Sequence, residues 1–161
     1  MNPLPDLPNS FSLQALRTVP QGLFIAPYCP APGLPLPYFE ARIPAGFPSP
    51  AADYLEDRLD LNELVISHPA ATFFVQVEGE SMTGAGIHSG DTLVVDRAEQ
   101  PADNKVVVAV VDGAFTVKRL RRRQGRAFLV AENPTGATLE ITEGMEFEVW
   151  GVVTYVSHRM K

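Results

Sequence analysis

The chain has 161 residues, 45% of them hydrophobic, with a net charge of −6 and a pI near 5.0. That length suits one ordinary domain plus an appendage, and the acidic balance argues against nucleic-acid binding through bulk charge. No apolar run approaches bilayer length and the start lacks a basic segment followed by an apolar core, so a cytoplasmic protein without a membrane partner is expected.

Residues 1–50 hold twelve of the fifteen prolines, among them Pro27, Pro30, Pro32, Pro35 and Pro37. Proline removes a backbone donor and fixes φ, so this stretch cannot supply a long helix or a central strand. Composition leaves two readings, a disordered tail or an extended, partly polyproline-like arm, and Leu23-Phe24-Ile25 and Tyr38-Phe39 are apolar enough to dock such an arm on the body at intervals. Its prolines also forbid the two adjacent helices of a helix-turn-helix. The arm ends in Ile43-Pro44-Ala45-Gly46-Phe47-Pro48-Ser49-Pro50, where the small residues Ala45 and Gly46 leave the bond between them accessible. From Ala51 to Leu64, Tyr54, Leu55, Leu59 and Leu64 recur near helical spacing among acids, which predicts a short amphipathic helix.

From Ala71 onward the pattern is of strands. Ala71 to Val77 leads into Glu78-Gly79-Glu80-Ser81-Met82 and then the glycine-punctuated turn Thr83-Gly84-Ala85-Gly86. Asp91 to Asp96 is a short apolar strand, and Val106 to Val111 is a continuous apolar run suited to a strand buried on both faces. Asp112-Gly113 supplies a tight hairpin turn, and Ala114 to Leu120 returns as the partner strand. The basic cluster Arg119, Arg121, Arg122 and Arg123 follows, then Ala127 to Val130, a turn at Asn133-Pro134-Thr135-Gly136, and a last strand from Met145 to Val156. The apolar residues around Phe147 and Trp150 read as an exposed strand edge that needs a partner. The body is therefore expected to be all-β, a compact domain of short, mostly antiparallel strands, preceded by the proline-rich arm and a short helix.

Ser81 stands at the end of a strand, in a bend whose backbone N–H groups can point at a ligand, where a nucleophile and an oxyanion site can be built together. No histidine offers itself as its base. His68, His88 and His158 are scattered and read as surface or strand-end residues, and the lone Cys29 makes no metal motif, so neither a metal nor a cofactor is expected. Lys118, in Phe115-Thr116-Val117-Lys118-Arg119-Leu120, can serve instead if it is desolvated. A lysine of ordinary pKa, about 10.4, is almost wholly protonated near neutrality. Lowering it by about three units disfavours the charged form by roughly 4 kcal/mol, which burial can provide. The reading thus demands that Lys118 point into an apolar pocket with its nitrogen near the Ser81 hydroxyl.

Gly79-Glu80-Ser81-Met82, Gly86-Ile87, Gly90-Asp91, Leu93-Val94-Val95-Asp96, Val111-Asp112-Gly113 and Phe115-Thr116-Val117-Lys118 occur in an order that resembles the LexA/UmuD family of self-cleaving serine peptidases, the UmuD branch most closely. Ala45 to Tyr54 resembles that branch's cleavage segment, and Asp60-Leu61-Asn62, His68-Pro69 and Phe147 to Val153 extend the likeness over residues 45 to 158. The resemblance implies a LexA/signal-peptidase-like β fold. It makes Ser81 the nucleophile, Lys118 the neutral general base, the backbone at Ser81 and Met82 part of the oxyanion site, and Ala45-Gly46 the scissile bond. Residues 1–45 would then be an arm removed by self-cleavage and 46–161 the peptidase-like domain. It further implies an SOS-response role, with a homodimer, a stimulating RecA–single-stranded-DNA filament and a UmuC-type Y-family polymerase served in translesion synthesis. Ala45 replaces the cysteine of the UmuD branch, and the arm before about residue 40 has no counterpart there. A LexA- or phage-type repressor lacking its DNA-binding domain, and an inactive β interaction module, are the competing readings.

Overall fold

The computed structural model describes residues 25–27, 33–39 and 56–160. Its strands in chain order are β1 (Ile25–Pro27), β2 (Leu36–Phe39), β3 (Glu56–Leu59), β4 (Thr72–Gln76), β5 (Thr92–Asp96), β6 (Val106–Val111), β7 (Ala114–Arg123), β8 (Arg126–Val130), β9 (Thr138–Ile141) and β10 (Phe147–Ser157). Eight of them form one antiparallel sheet in the order β1-β4-β5-β10-β6-β7-β8-β9, while β2 and β3 make a separate pair. The fold is all-β.

The run of five valines and one alanine in β6 explains the centre of the sheet. With β10 on one side and β7 on the other, its successive side chains enter opposite layers. Val108 joins a cluster with Val75, Val77, Met82, Ile87, Leu93 and Val95, whereas Val107 and Ala109 join Leu120, Leu129 and Val152. Asp112 and Gly113 both take positive φ between β6 and β7, as a tight hairpin requires.

β10 is flanked on both sides, by β5 and β6, so the C-terminal strand is not the open edge expected of it. Its length lets it pair twice: Phe147 to Val152 along β6 and Val152 to Ser157 along β5. Trp150 packs with Phe73 and Phe115 at ring-centroid distances of 5.1 and 5.9 Å, and the Arg97 guanidinium lies 5.1 Å over its ring. Next to it the register shifts between Val149 and Gly151. A Cβ at Gly151 would sit 2.6 Å from Val95 Cγ1, so only glycine fits this crossing.

The arm docks at two places, near the anchors expected of it. Ile25–Pro27 pairs with Phe73–Val75 as an edge strand, the position where proline is tolerated. Leu36–Phe39 pairs with Glu56–Leu59. That second pairing corrects the helix expected over Ala51 to Leu64. Residues 56–59 take their backbone partners from β2, and the helix shrinks to α1 (Leu61–Val65). Asp60 sets the boundary: it is buried, accepts from the Asn62 N–H at 2.8 Å as an N-cap, and accepts from the Leu34 N–H at 2.9 Å. Residues 51–55, and the Ala45-Gly46 bond, lie outside the described residues. No helix among the described residues is long and apolar enough to cross a membrane.

Candidate active site

Ser81 follows β4 on a loop fixed at several points. Met82 is 2% exposed and plugs the first core cluster, so the backbone beside the serine is anchored by packing. A 3-10 turn over Thr83–Ala85 follows, closed by Gly86 in the left-handed region at φ 77°. The carbonyl of Met82 accepts from the Ala85 N–H at 3.0 Å and from the Ile87 N–H at 3.2 Å.

A second anchor comes from the segment after β8. The Glu132 N–H donates to the Ser81 carbonyl at 2.7 Å, and the Gly84 N–H donates to the Glu132 carbonyl at 2.5 Å. This approach needs glycine, because a Cβ at position 84 would lie 2.8 Å from the Glu132 carbonyl oxygen. The Glu132 side chain makes a two-pronged ion pair with Arg119, with Nε to Oε1 and with Nη2 to Oε2 at 2.8 Å. Arg119 adjoins Lys118 on β7, so one residue braces both the serine loop and the strand that carries the lysine.

Alternation along β7 sends Phe115 and Val117 toward the first core cluster and sets Thr116 and Lys118 together on the other face. Lys118 Nζ lies 2.9 Å from Ser81 Oγ, 2.9 Å from Thr116 Oγ1 and 3.0 Å from the Val117 carbonyl oxygen. Lys118 and Ser81 are both half-buried and line one cleft of about 430 Å3, whose other walls include Val75, Val77, Met82, Val108, Phe115 and Val117. Burial among these groups lowers the Lys118 pKa from its ordinary value. No acidic group is hydrogen-bonded to Nζ among the described residues, so nothing there offsets the desolvation. Lys118 Nζ thus stands within hydrogen-bond distance of the Ser81 hydroxyl, in a cleft that Gln76 and Glu78 also line. Among the described residues the N–H groups of Ser81 and Met82 donate to no protein acceptor.

The region that matches a known family covers residues 37–154, described as Peptidase S24-like. The chain belongs to the S24 peptidase family. It is 50% identical over 125 residues to Protein SamA of Salmonella typhimurium, covering 78% of this chain and 86% of the relative. To Protein ImpA of Escherichia coli it is 51% identical over 126 residues, 78% and 85% of the two chains. To Protein MucA of Escherichia coli it is 44% identical over 121 residues, 74% and 82% of the two. These are UmuD-like relatives, and the antiparallel β body accords with the LexA/S24 fold. The chain is thus a serine peptidase of the SOS-related, self-cleaving kind.

Sequence reasoning named Ser81, Met82 and Lys118, and the structure brings them together. Thr116 has no role in the sequence pattern, although two-residue spacing on a strand sets its hydroxyl on the Lys118 face. Glu132 carried no local signal, since its partners are remote in sequence. The scattered histidines prove to be paired: His68 Nδ1 lies 2.6 Å from Asp96 Oδ2, and His88 and His158 converge on Asp91.

Proposed function

We propose that the chain cuts itself between Ala45 and Gly46, with Ser81 as nucleophile and Lys118 as a neutral general base. The observation that carries this reading is the 2.9 Å contact between Lys118 Nζ and Ser81 Oγ in one shared cleft. A neutral amine has two N–H donors and one lone pair. Thr116 Oγ1 and the Val117 carbonyl accept the two donors, which leaves the lone pair facing the Ser81 hydroxyl.

As Ser81 Oγ attacks the Ala45 carbonyl carbon, its proton passes to Lys118 Nζ. The oxygen of the tetrahedral intermediate takes the negative charge, and the N–H groups of Ser81 and Met82 are the donors at hand for it. Lys118 then gives its proton to the Gly46 nitrogen as the peptide bond breaks. Water, deprotonated by the same amine, releases the acyl group from Ser81. Tethering removes the entropic cost of bringing substrate to enzyme, so weak side-chain contacts around the scissile bond suffice.

The product, from Gly46 onward, is the accessory subunit of a UmuC-type Y-family polymerase in translesion synthesis. It works as a homodimer, and a RecA–single-stranded-DNA filament stimulates the cut. These partners rest on the UmuD-like relatives rather than on any surface described above. The test is incubation of purified wild type, Ser81→Ala and Lys118→Ala with and without RecA filaments, followed by intact mass. Both variants should stay uncut while remaining folded. Wild-type processing in either would remove that residue from the dyad.

A further inference from the structure

Away from the cleft, two histidines turn toward one carboxylate at the join between β5 and the end of β10. Asp91, just before β5, is 3% exposed and fixed in place by its hydrogen bonds. Its Oδ2 accepts from the His88 N–H at 2.8 Å, which holds the carboxylate in one orientation. His158 Nδ1 lies 2.6 Å from Oδ1 and His88 Nδ1 lies 3.7 Å from Oδ2. The two imidazole rings sit side by side, with centroids 5.5 Å apart. One ligand atom from each of the three residues falls within 4.8 Å of the other two.

We propose that His88, Asp91 and His158 form a binding site for a divalent transition-metal ion of the zinc class. The two imidazoles are borderline donors that suit zinc, nickel or copper better than magnesium or calcium, and the carboxylate adds one hard oxygen that zinc also accepts. Around a tetrahedral zinc with bonds of about 2.0–2.1 Å, neighbouring donor atoms stand about 3.3 Å apart. The buried carboxylate already holds its place, and the two exposed imidazoles need only rotate to reach that spacing. The ion takes the place of the direct contact between His158 Nδ1 and Asp91 Oδ1, and water fills the open coordination.

The consequence is mechanical. β10 ends at Ser157, opposite Thr92 on β5, and His158 is the next residue. An ion held by His158 and Asp91 closes the open end of that ladder. His88 extends the clasp into the turn at 88–91, which is itself bonded to the segment leading to Ser81. The Val77 N–H donates to the Asp91 carbonyl and the Gly90 N–H to the Val77 carbonyl, each at 2.9 Å. The clasp therefore reaches Val77, a wall of the cleft four positions before the serine.

The experiment is zinc chloride titration into the untagged full-length chain at about pH 7.5, where ordinary imidazoles are neutral. It is read by calorimetry and by thermal melting. One ion should bind per chain, with Tm rising by about 2–6 °C as zinc saturates. His88→Ala and His158→Ala, both at exposed positions, should each weaken binding by at least about tenfold, and the double variant should abolish the Tm shift. Magnesium should produce no shift. Zinc uptake that persists unchanged in the double variant, or no uptake by the wild type at equimolar zinc, would overturn the site.

Discussion

The Glu132 N–H donates to the Ser81 carbonyl at 2.7 Å, although 51 positions separate the two along the chain. The same residue grips Arg119 through its carboxylate, one position from Lys118. Serine loop and lysine strand are thereby referred to a single brace. A contact as short as the one between Lys118 Nζ and Ser81 Oγ depends on keeping both in register.

Glu132→Ala should therefore slow self-cleavage by about tenfold without changing the pH at which the rate levels off. It removes a half-buried ion pair, so stability should fall by about 1–2 kcal/mol, between the values for exposed and buried pairs. The hydrogen bond from Arg119 holds the Glu132 carboxyl below its ordinary value. A depressed carboxyl contributes stability above its unfolded pKa and loses it as pH falls through the folded one, so the deficit should shrink in acid. Urea melts at neutral and acidic pH, with single-turnover rates, check both parts.

Gly84→Ala tests the same brace from the other side. The added methyl meets the Glu132 carbonyl at 2.8 Å, and backbone cannot yield as a flexible side chain would. Displacing Glu132 moves the Ser81 carbonyl bonded to it. The rate should fall by up to about 100-fold, the scale of a 1 Å misplacement of a reacting group. A rate within twofold of wild type would show that the brace does not position Ser81.

Much of this was legible in the residues themselves. The apolar run of β6, the Asp112-Gly113 turn and the alternation of β7 are local patterns with one reasonable reading. The elements that escaped were settled by partners distant in sequence. Residues 56–59 look helical by spacing, yet they pair with the arm strand β2. β9 (Thr138–Ile141) is four residues long, partly exposed and carries little pattern, so it exists because β8 offers an edge. β10 read as an edge because its apolar length shows, while its two flanking strands do not. Glu132 and the cluster of His88, Asp91 and His158 are likewise assembled by the sheet, the latter across 67 positions between Asp91 and His158.

The proposed scissile bond joins two small residues, Ala45 and Gly46. Intact mass and N-terminal sequencing should give a product beginning at Gly46. Gly46→Trp should suppress its formation, because the chain must pass close to Ser81 at that point. Cutting at any other bond would move the substrate segment and with it the role given to Ala45.

Lys118→Met should be inactive and yet no less stable near neutrality. Burial depresses the lysine pKa in the folded chain, so the unfolded state holds its proton more tightly. That penalty is fully present below the folded pKa and fades as pH rises toward the unfolded value of about 10.4. Urea melts should show any advantage of the methionine variant narrowing at high pH. A methionine variant strongly destabilised at neutral pH would mean that the ammonium stabilises the fold.

The mechanism turns on whether Lys118 acts as a neutral base, and the pH dependence of self-cleavage without RecA measures this. Single-turnover rates from about pH 6 to about 10.5 bracket the ordinary values of histidine and lysine. The rate should climb above neutrality and level off below the ordinary lysine value of about 10.4, because burial has lowered the pKa of Lys118. A plateau already reached near pH 7, where an ordinary histidine of pKa about 6.5 is neutral, would contradict the account and assign the proton to another group.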